Sequence, residues 1–212
     1  MISTRKEHKK DWVQMSLEAA RRHTDIQAVM TPFGYDKVKL GEAHTLLGEV
    51  KKWDSLHFEH IGVQKKATQD IIDARQQVNN IYSKHLKIAR LALDQQRELW
   101  DLLKLEGRRK QSLSDWLGQV KAFYYNCGRA AEILNKYNIT QDIVDQTKAM
   151  IEAIEDYRVH QSVSRSHAQE ATQRRNKFTR ELDSWMQEFM YVAKLALKNN
   201  PQYLEALGKT VK

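Results

Sequence analysis

The sequence predicts an all-α protein, an antiparallel helical bundle with long, heptad-patterned helices. The bundle is predicted to be a tandem duplication of a three-helix unit of about 104 residues. Three observations support this prediction. Only two prolines and eight glycines interrupt the 212 residues, so long helices are expected. Apolar residues recur at spacings that alternate between three and four, which is typical of helices that pack against partner helices. The sequence also resembles itself at a fixed offset.

The internal resemblance emerges when the chain is shifted by 104 residues without a gap. Twelve of the 108 aligned pairs are identical, and the identities cluster. The stretch "IARLAL" at 88–93, for example, falls on "VAKLAL" at 192–197. Because 104 is not a multiple of seven, one uninterrupted heptad register would not produce this match. The sequence therefore predicts two helical repeats, 1–104 and 105–212, and leaves open whether they pack as one bundle.

The first helix of each repeat is predicted at about 5–30 and about 111–135. A turn follows in both repeats. In the first repeat the turn is "TPFGYD", which holds proline and glycine together. In the second repeat it is "NKYNIT", where Asn138 takes the position of Gly34.

The next part of each repeat carries the clearest heptad stripe, which runs from Ala67 to Ala92 in the first repeat and recurs in the second. The heptad phase continues through the region before the stripe, so a single helix of roughly 60 residues is one alternative. The stripe turns polar there, however, and Gly62 and Ser166 are acceptable N-caps. A turn is therefore predicted near 57–62 and near 160–166.

A short helix is predicted at the end of the second repeat, in "KNNPQYLEALG". Pro201 stands at a first-turn position and Gly208 follows as a terminator. In the first repeat the preceding helix is expected to continue as far as Gly107.

The candidate core follows from the stripes. These residues are predicted to be buried: Trp12, Trp116, Trp185, Ile88 and Leu195. His85 lies on the apolar stripe and is expected to be a packed histidine. Cys127, the one cysteine, is expected to be a small packing residue, because no histidine or acid is placed locally to activate it.

Residues 182–208, "LDSWMQEFMYVAKLALKNNPQYLEALG", resemble the tail of a group of uncharacterised bacterial helical-bundle proteins. Those proteins end in an aromatic-rich helix followed by an "NPQxLExLG"-like motif. The resemblance covers about an eighth of the chain, implies a bacterial helical bundle and supplies no site residues. The repeat length and the early tryptophans, Trp12 and Trp116, are also similar to those of spectrin-type three-helix repeats, as an analogy of size and pattern.

Several classes of function are disfavoured by what the sequence lacks. It contains no window of 18 consecutive apolar residues, so no membrane span is expected. A single cysteine fits a reducing compartment, and a cytoplasmic location is expected. The phosphate-binding, dinucleotide-binding and zinc-protease motifs are absent. We therefore expect a protein that is not an enzyme and uses no cofactor.

The leading hypothesis is a non-enzymatic helical scaffold or protein-interaction module, with self-association as one of its modes. It rests on the sustained heptads and the internal repeat. The stretch "FYY", Phe123, Tyr124 and Tyr125, is its candidate partner surface, because three neighbouring residues do not all face inward on one helix.

The first alternative is a nucleic-acid-associated protein that contacts the phosphate backbone. The formal net charge is +8, and lysine and arginine cluster along the chain. Lys84, Lys87 and Arg90 also lie near one helical face. The candidate nucleic-acid-binding residues are Arg174, Arg175, Lys177, Arg180, Arg108, Arg109 and Lys110.

The second alternative is a metal-binding helical bundle. His57 and His60 are weak candidate ligands, because acids lie nearby in the sequence. A di-iron bundle needs Glu-x-x-His motifs on two helices, and the nearest match here has Asp54 in place of the glutamate. The metal hypothesis is therefore the weakest of the three.

Overall fold

The computed structural model describes residues 2–208, with side-chain packing for residues 7–208. Every regular element in that part of the chain is helical, which confirms the predicted all-α helical bundle. The α-helices are α1 (Ile2–Arg22), α2 (Thr24–Met30), α3 (Lys37–Ala92), α4 (Arg97–Leu102), α5 (Leu113–Asn126), α6 (Ala131–Leu134), α7 (Gln141–Ala196) and α8 (Pro201–Ala206). Short 3-10 segments lie at Thr31–Phe33, Cys127–Ala130 and Asn135–Tyr137. None of the helices within residues 2–208 is long and apolar enough to cross a membrane.

The helices α3 and α7 are each unbroken over 56 residues. The predicted turns near 57–62 and 160–166 are therefore wrong. Polar residues on a heptad stripe weaken packing but leave the backbone hydrogen bonds between residues four apart intact. Gly62 lies inside α3, where glycine lowers helix propensity by ~1 kcal/mol without ending the helix.

The first helix of each repeat is shorter than predicted. In the first repeat the helix is interrupted at His23, which has extended backbone angles between α1 and α2. In the second repeat α5 begins close to the predicted position, after the N-cap Ser112, but it ends at Asn126, where the 3-10 segment Cys127–Ala130 follows. The expected continuation to Gly107 is also wrong, because α3 ends at Ala92.

The bounds of the elements recur at an offset of 104 residues. Helix α7 begins 104 residues after α3 (141 − 37) and ends 104 residues after it (196 − 92), and α8 follows α4 at the same offset. Thr31–Phe33 and Asn135–Tyr137 also match, and each ends at a left-handed residue: Gly34 with φ 86° and Asn138 with φ 62°. Tandem duplication is our interpretation of this recurrence.

The chain folds into two compact units. Unit 1 comprises Met1–His60 and Ser166–Lys212, and unit 2 comprises Ile61–Arg165. The units cut across the predicted repeats 1–104 and 105–212, because a unit is defined by packing and a repeat by sequence. Each unit combines part of one repeat with part of the other.

Each unit has its own hydrophobic core. In unit 1, α1, α2, the first part of α3, the last part of α7 and α8 supply the buried side chains, among them Leu17, Ile26, Leu40, Phe189 and Leu207. In unit 2, the core is rich in aromatic residues and includes Tyr82, Leu103, Trp116, Phe123 and Tyr124.

The predicted core residues differ in outcome. Trp116 and Trp185 are buried as predicted, at 1% and 8% exposure. Trp12 and Ile88 are half-buried. Leu195 is 61% exposed, so its predicted burial is wrong. It stands one position before a core-facing residue, and successive helical residues turn by about 100°.

The two polar residues predicted to be packed are buried in unit 2. His85 is 9% exposed, and its Nδ1 lies 2.9 Å from the hydroxyl oxygen of Tyr124. Cys127 is also buried, and burial raises the pKa of its thiol to about 12. A thiol with such a pKa stays protonated at neutral pH, so Cys127 acts as a packing residue.

Candidate anion-binding groove

A segment of irregular backbone lies beside α3 in unit 2, between α4 and α5. Arg90 of α3 holds this segment in place. Its Nε–H donates to the carbonyl of Leu105 at 2.7 Å, and its Nη2 donates to the carbonyl of Gly107 at 2.8 Å. Gly107 has φ 74°, a left-handed conformation that glycine adopts without steric cost. The segment therefore follows α3 with its basic side chains beside the helix.

Two further arginines fasten the same segment to α3. Arg75 donates from Nη2 to the carbonyl of Gln111 at 2.7 Å, and its guanidinium lies 5.2 Å from the ring centre of Trp116. Arg109 donates from Nη1 to the hydroxyl of Ser83 at 2.6 Å and to the amide oxygen of Asn79 at 3.3 Å. These bonds use only part of the five donors that each guanidinium carries.

Two open clefts lie along this contact, with volumes of about 430 and 610 Å³, and both are lined by Arg109 and Gln111. We refer to them together as the basic groove. Its cations are Arg75, Lys87, Arg90, Arg108, Arg109 and Lys110. No aspartate or glutamate lines either cleft.

The six cations of the basic groove are not neutralised by carboxylates. None of the ion pairs within residues 7–208 involves any of them. The acid beside the segment in the sequence, Glu106, pairs with Arg97 instead. The partners of the groove arginines are neutral carbonyl, hydroxyl and amide groups. The groove therefore keeps its positive charge.

The positive potential reaches the core beneath the groove. The hydroxyl of Tyr82 is buried and has no hydrogen-bond partner among the described residues. Burial raises the pKa of Tyr82 to about 12, while the charges of Arg90 and Arg109 act in the opposite direction. The tyrosine is therefore neutral at physiological pH and adds no negative charge to the groove.

The sequence-predicted basic residues fall in two different settings. Arg108, Arg109 and Lys110 line the basic groove, together with Lys87 and Arg90 from the helical face noted in the sequence. Arg75 could not be identified from the sequence pattern, because the residue that it anchors, Gln111, lies 36 positions further along the chain.

The second predicted cluster lies on α7 in unit 1, where acids accompany it. Arg174 pairs with Glu170 at 3.5 Å, and Lys177 pairs with Glu181 at 3.9 Å. Arg175 pairs with Asp54 at 3.2 Å. Of the four predicted cations, only Arg180 has no ion pair within residues 7–208. This cluster is therefore largely neutralised.

The predicted partner surface is corrected by the structure. Phe123 and Tyr124 are fully buried, and the ring centre of Phe123 lies 5.4 Å from that of Tyr82. Only Tyr125 is exposed, at 50%, and its hydroxyl donates to Glu152 at 2.9 Å. The "FYY" stretch forms no exposed aromatic patch, because the buried arc of α5 is wide enough to hold two neighbouring side chains.

The candidate metal ligands have other contacts in unit 1. The Nδ1 atom of His57 lies 3.2 Å from the carbonyl oxygen of Ala168 and 3.0 Å from the hydroxyl of Thr172. The ring of His60 packs edge-on against that of His167, with centres 5.0 Å apart. Within the described residues, no group of three or more His, Cys, Asp or Glu side chains is arranged to hold a metal ion. The described residues therefore provide no set of ligands that would support the metal hypothesis.

Comparison with known proteins does not identify a function for the basic groove. The resemblance of the C-terminal segment to bacterial helical-bundle proteins, and the analogy to spectrin-type repeats, therefore stay predictions. No protein-family model, curated protein or solved structure matches the chain.

Proposed function

We propose that this protein binds nucleic acid through the phosphate backbone, using the basic groove of unit 2. The observation that carries the proposal is the set of six groove cations, none of which forms an ion pair within residues 7–208. The hydrogen-bond partners of Arg75, Arg90 and Arg109 are all neutral. Phosphate oxygens are good acceptors for guanidinium and ammonium donors, and binding releases the counterions condensed on the nucleic acid. Unpaired cations gain most from such contacts.

The length of the groove favours a polymer over a single phosphate. From Arg75 to Arg90 along α3 the rise is about 22 Å at ~1.5 Å per residue. One phosphate spans only a small part of that distance. A chain of phosphates offers every cation of the groove a partner at once.

The binding is proposed to be independent of base sequence. The one tryptophan in the groove lining, Trp116, is buried, and Arg75 lies over its ring. It offers no exposed platform on which a base could stack. Phosphate contacts position a protein on nucleic acid but carry no sequence information by themselves.

The scaffold hypothesis stays a prediction and ranks second. Two of the three aromatic residues suggested as its partner surface are buried. The chain has other exposed apolar side chains, such as Tyr191 and Leu195, but nothing identifies what would cover them.

The proposal is tested by fluorescence anisotropy of the full chain with labelled mixed-sequence DNA and RNA, single-stranded and duplex, over a salt series. We expect micromolar or tighter binding at low salt. The logarithm of the binding constant should fall linearly with the logarithm of salt concentration, with a slope for duplex DNA no steeper than about −5, since each of six phosphate contacts contributes about −0.9.

Vesicles with anionic headgroups serve as a second polyanion in the same assay. Absence of binding to every nucleic acid at low salt would overturn the proposal. Binding to the vesicles but to no nucleic acid would also overturn it, and would assign the groove to an anionic membrane surface.

A further inference from the structure

A separate cleft lies in unit 1, between α1, α3 and α7, with a volume of about 260 Å³. Its apolar lining is formed by Val13, Val50 and Leu182, each no more than 4% exposed. The cleft shares no residue with the basic groove and lies in the other unit. A ligand bound here is therefore independent of the proposed function.

A partly buried triad of charges stands at the edge of this apolar lining. Lys10 contacts one carboxylate oxygen of Asp54 at 2.5 Å, and Arg175 contacts the other at 3.2 Å. The three side chains are 18–25% exposed. Two cations thus share one anion, and the triad has a net charge of +1 when Asp54 is ionised.

Asp54 is ionised at neutral pH. Burial alone would raise its pKa, but the hydrogen bonds and charges of Lys10 and Arg175 outweigh burial and hold the pKa of Asp54 below its usual value. The other charged groups of the cleft, Lys9 and Asp183, form a neutral pair at 2.7 Å. The cleft therefore retains one positive charge beside an apolar surface.

Unit 2 has no counterpart of this triad. At the offset of 104 residues, the positions of Lys10, Asp54 and Arg175 are taken by Ser114, Arg158 and Ile71, which cannot form it. Unit 2 nevertheless has a buried core of its own. Apolar residues at such positions often stabilise a fold at least as well as partly buried charges do, so the charges in unit 1 point to a use in addition to folding.

We propose that the cleft binds a small organic monoanion: a monocarboxylate with a short, unbranched apolar tail. The carboxylate accepts hydrogen bonds from the ammonium of Lys10 and from the N–H groups of Arg175 that Asp54 and the side-chain oxygen of Asn176 leave unused. The tail packs on Val13, Val50 and Leu182. At ~30 Å³ for each water-sized group, the cleft has room for roughly eight non-hydrogen atoms, which is the size of hexanoate.

The test is an NMR titration of the ¹⁵N-labelled full chain with hexanoate, with 1-hexanol and hexylamine as probes of matched length and different charge. We expect hexanoate to bind at least about tenfold more tightly than 1-hexanol, because it adds charge-assisted hydrogen bonds. The backbone amide signals of Val13, Val50 and Leu182 should shift. Hexylamine should bind more weakly than either.

Substitutions in the triad test whether these charges determine the affinity for hexanoate. We expect Arg175→Gln to weaken hexanoate about tenfold and Asp54→Asn to strengthen it several-fold, because the first removes a donor cation and the second removes a competing carboxylate. Arg174→Gln, next in the chain and paired with Glu170, is the matched control and should leave the affinity unchanged.

Equal affinity for hexanoate and 1-hexanol would overturn the proposal. So would equal effects of Arg175→Gln and Arg174→Gln. If Arg175→Gln does not fold, Lys10→Gln and Asp54→Asn make the same comparison, since the proposal requires them to change the affinity in opposite directions.

Discussion

The basic segment at 108–110 in unit 2 and the basic segment at 174–180 in unit 1 are similarly rich in arginine and lysine, yet their surroundings differ. On α7 the cations pair with Glu170, Glu181 and Asp54. In the basic groove the polar partners are carbonyl, hydroxyl and amide groups. The density of basic residues is therefore a poor guide to a binding site. The availability of their charge is a better one.

One pair of positions shows the difference at the level of a single group. Asn79 in unit 2 corresponds to Asp183 in unit 1 at the offset of 104 residues. Asn79 accepts a hydrogen bond from Arg109 and leaves its charge intact. Asp183 pairs with Lys9 at 2.7 Å and neutralises it. An amide in place of a carboxylate keeps the positive charge of the groove.

The largest expected effect comes from removing three charges from the basic groove. In the triple variant Lys87→Gln, Arg108→Gln and Arg109→Gln, we expect nucleic-acid affinity at low salt to fall by about 100-fold or more, and the salt slope to become shallower by about three, because three phosphate contacts are lost. Anisotropy over a salt series measures both quantities.

The matched control is Arg174→Gln, Lys177→Gln and Arg180→Gln, which lowers the net charge by the same amount in unit 1. We expect it to change the affinity far less, because two of those cations are already paired with glutamates. Equal losses in the two triple variants would show that net charge, and not the groove, governs binding.

A single substitution tests the same comparison with a smaller effect. Asn79→Asp places a carboxylate beside Arg109, as Asp183 is placed beside Lys9. We expect about a tenfold loss of affinity and a salt slope shallower by about one. The reverse change, Asp183→Asn, should cause no loss. If Asn79→Asp binds as well as the original chain, Arg109 is not a phosphate contact.

Acid unfolding tests the ion pairs of unit 1, where Asp54 pairs with Arg175. Because the pKa of Asp54 is lowered in the folded state, its stabilising contribution is complete above its ordinary pKa of 3.8 and is lost as the pH falls through the lower folded value. Asp54→Asn should therefore reduce stability at pH 7 by about 1–2 kcal/mol, with allowance for partial exposure. The gap to the original chain should close below about pH 4. Urea unfolding at pH 7, 5 and 3 measures it, and a gap independent of pH would contradict the prediction.

The smallest expected effect on stability comes from His85, a buried residue of unit 2. Burial, together with nearby Lys84, holds the pKa of His85 below its usual value of 6.5, so the stability that its neutral form supports is present above that value and is lost as the pH falls towards the folded pKa. Its counterpart in unit 1 is Phe189. In His85→Phe we expect a shallower decrease of unfolding free energy between pH 7 and 5, with a loss of about 1 kcal/mol at pH 7 from the lost hydrogen bond between His85 and the Tyr124 hydroxyl. An unchanged slope would show that His85 does not titrate with unfolding.

The fold could be predicted from the sequence to a considerable extent, because local patterns govern helices. The heptad stripes, the turn at Gly34 and the terminator at Gly208 all predict elements that the structure contains. The turns predicted near 57–62 and 160–166 are wrong because two local signals in the sequence conflict there. The N-cap preference of Gly62 suggested a turn, but the continuous heptad phase corresponds to one long helix.

The candidate site could be predicted only in part. Arg108, Arg109 and Lys110 stand out in the sequence as a dense basic segment. Whether that segment is neutralised depends on contacts with α3, and such contacts have no local signature. The same is true of "FYY", where the burial of Phe123 and Tyr124 depends on the helices packed against α5.

The sequence by itself determined the helical class, the recurrence at 104 residues and the positions of the basic segments, because each depends on residues close together in the chain. Only the tertiary structure decided which cations are neutralised. Arg175 meets Asp54 across 121 positions, and Arg109 meets Asn79 across 30. The charge that a cation presents to a ligand depends on the groups within a few ångströms of it, and folding chooses those groups from distant parts of the chain.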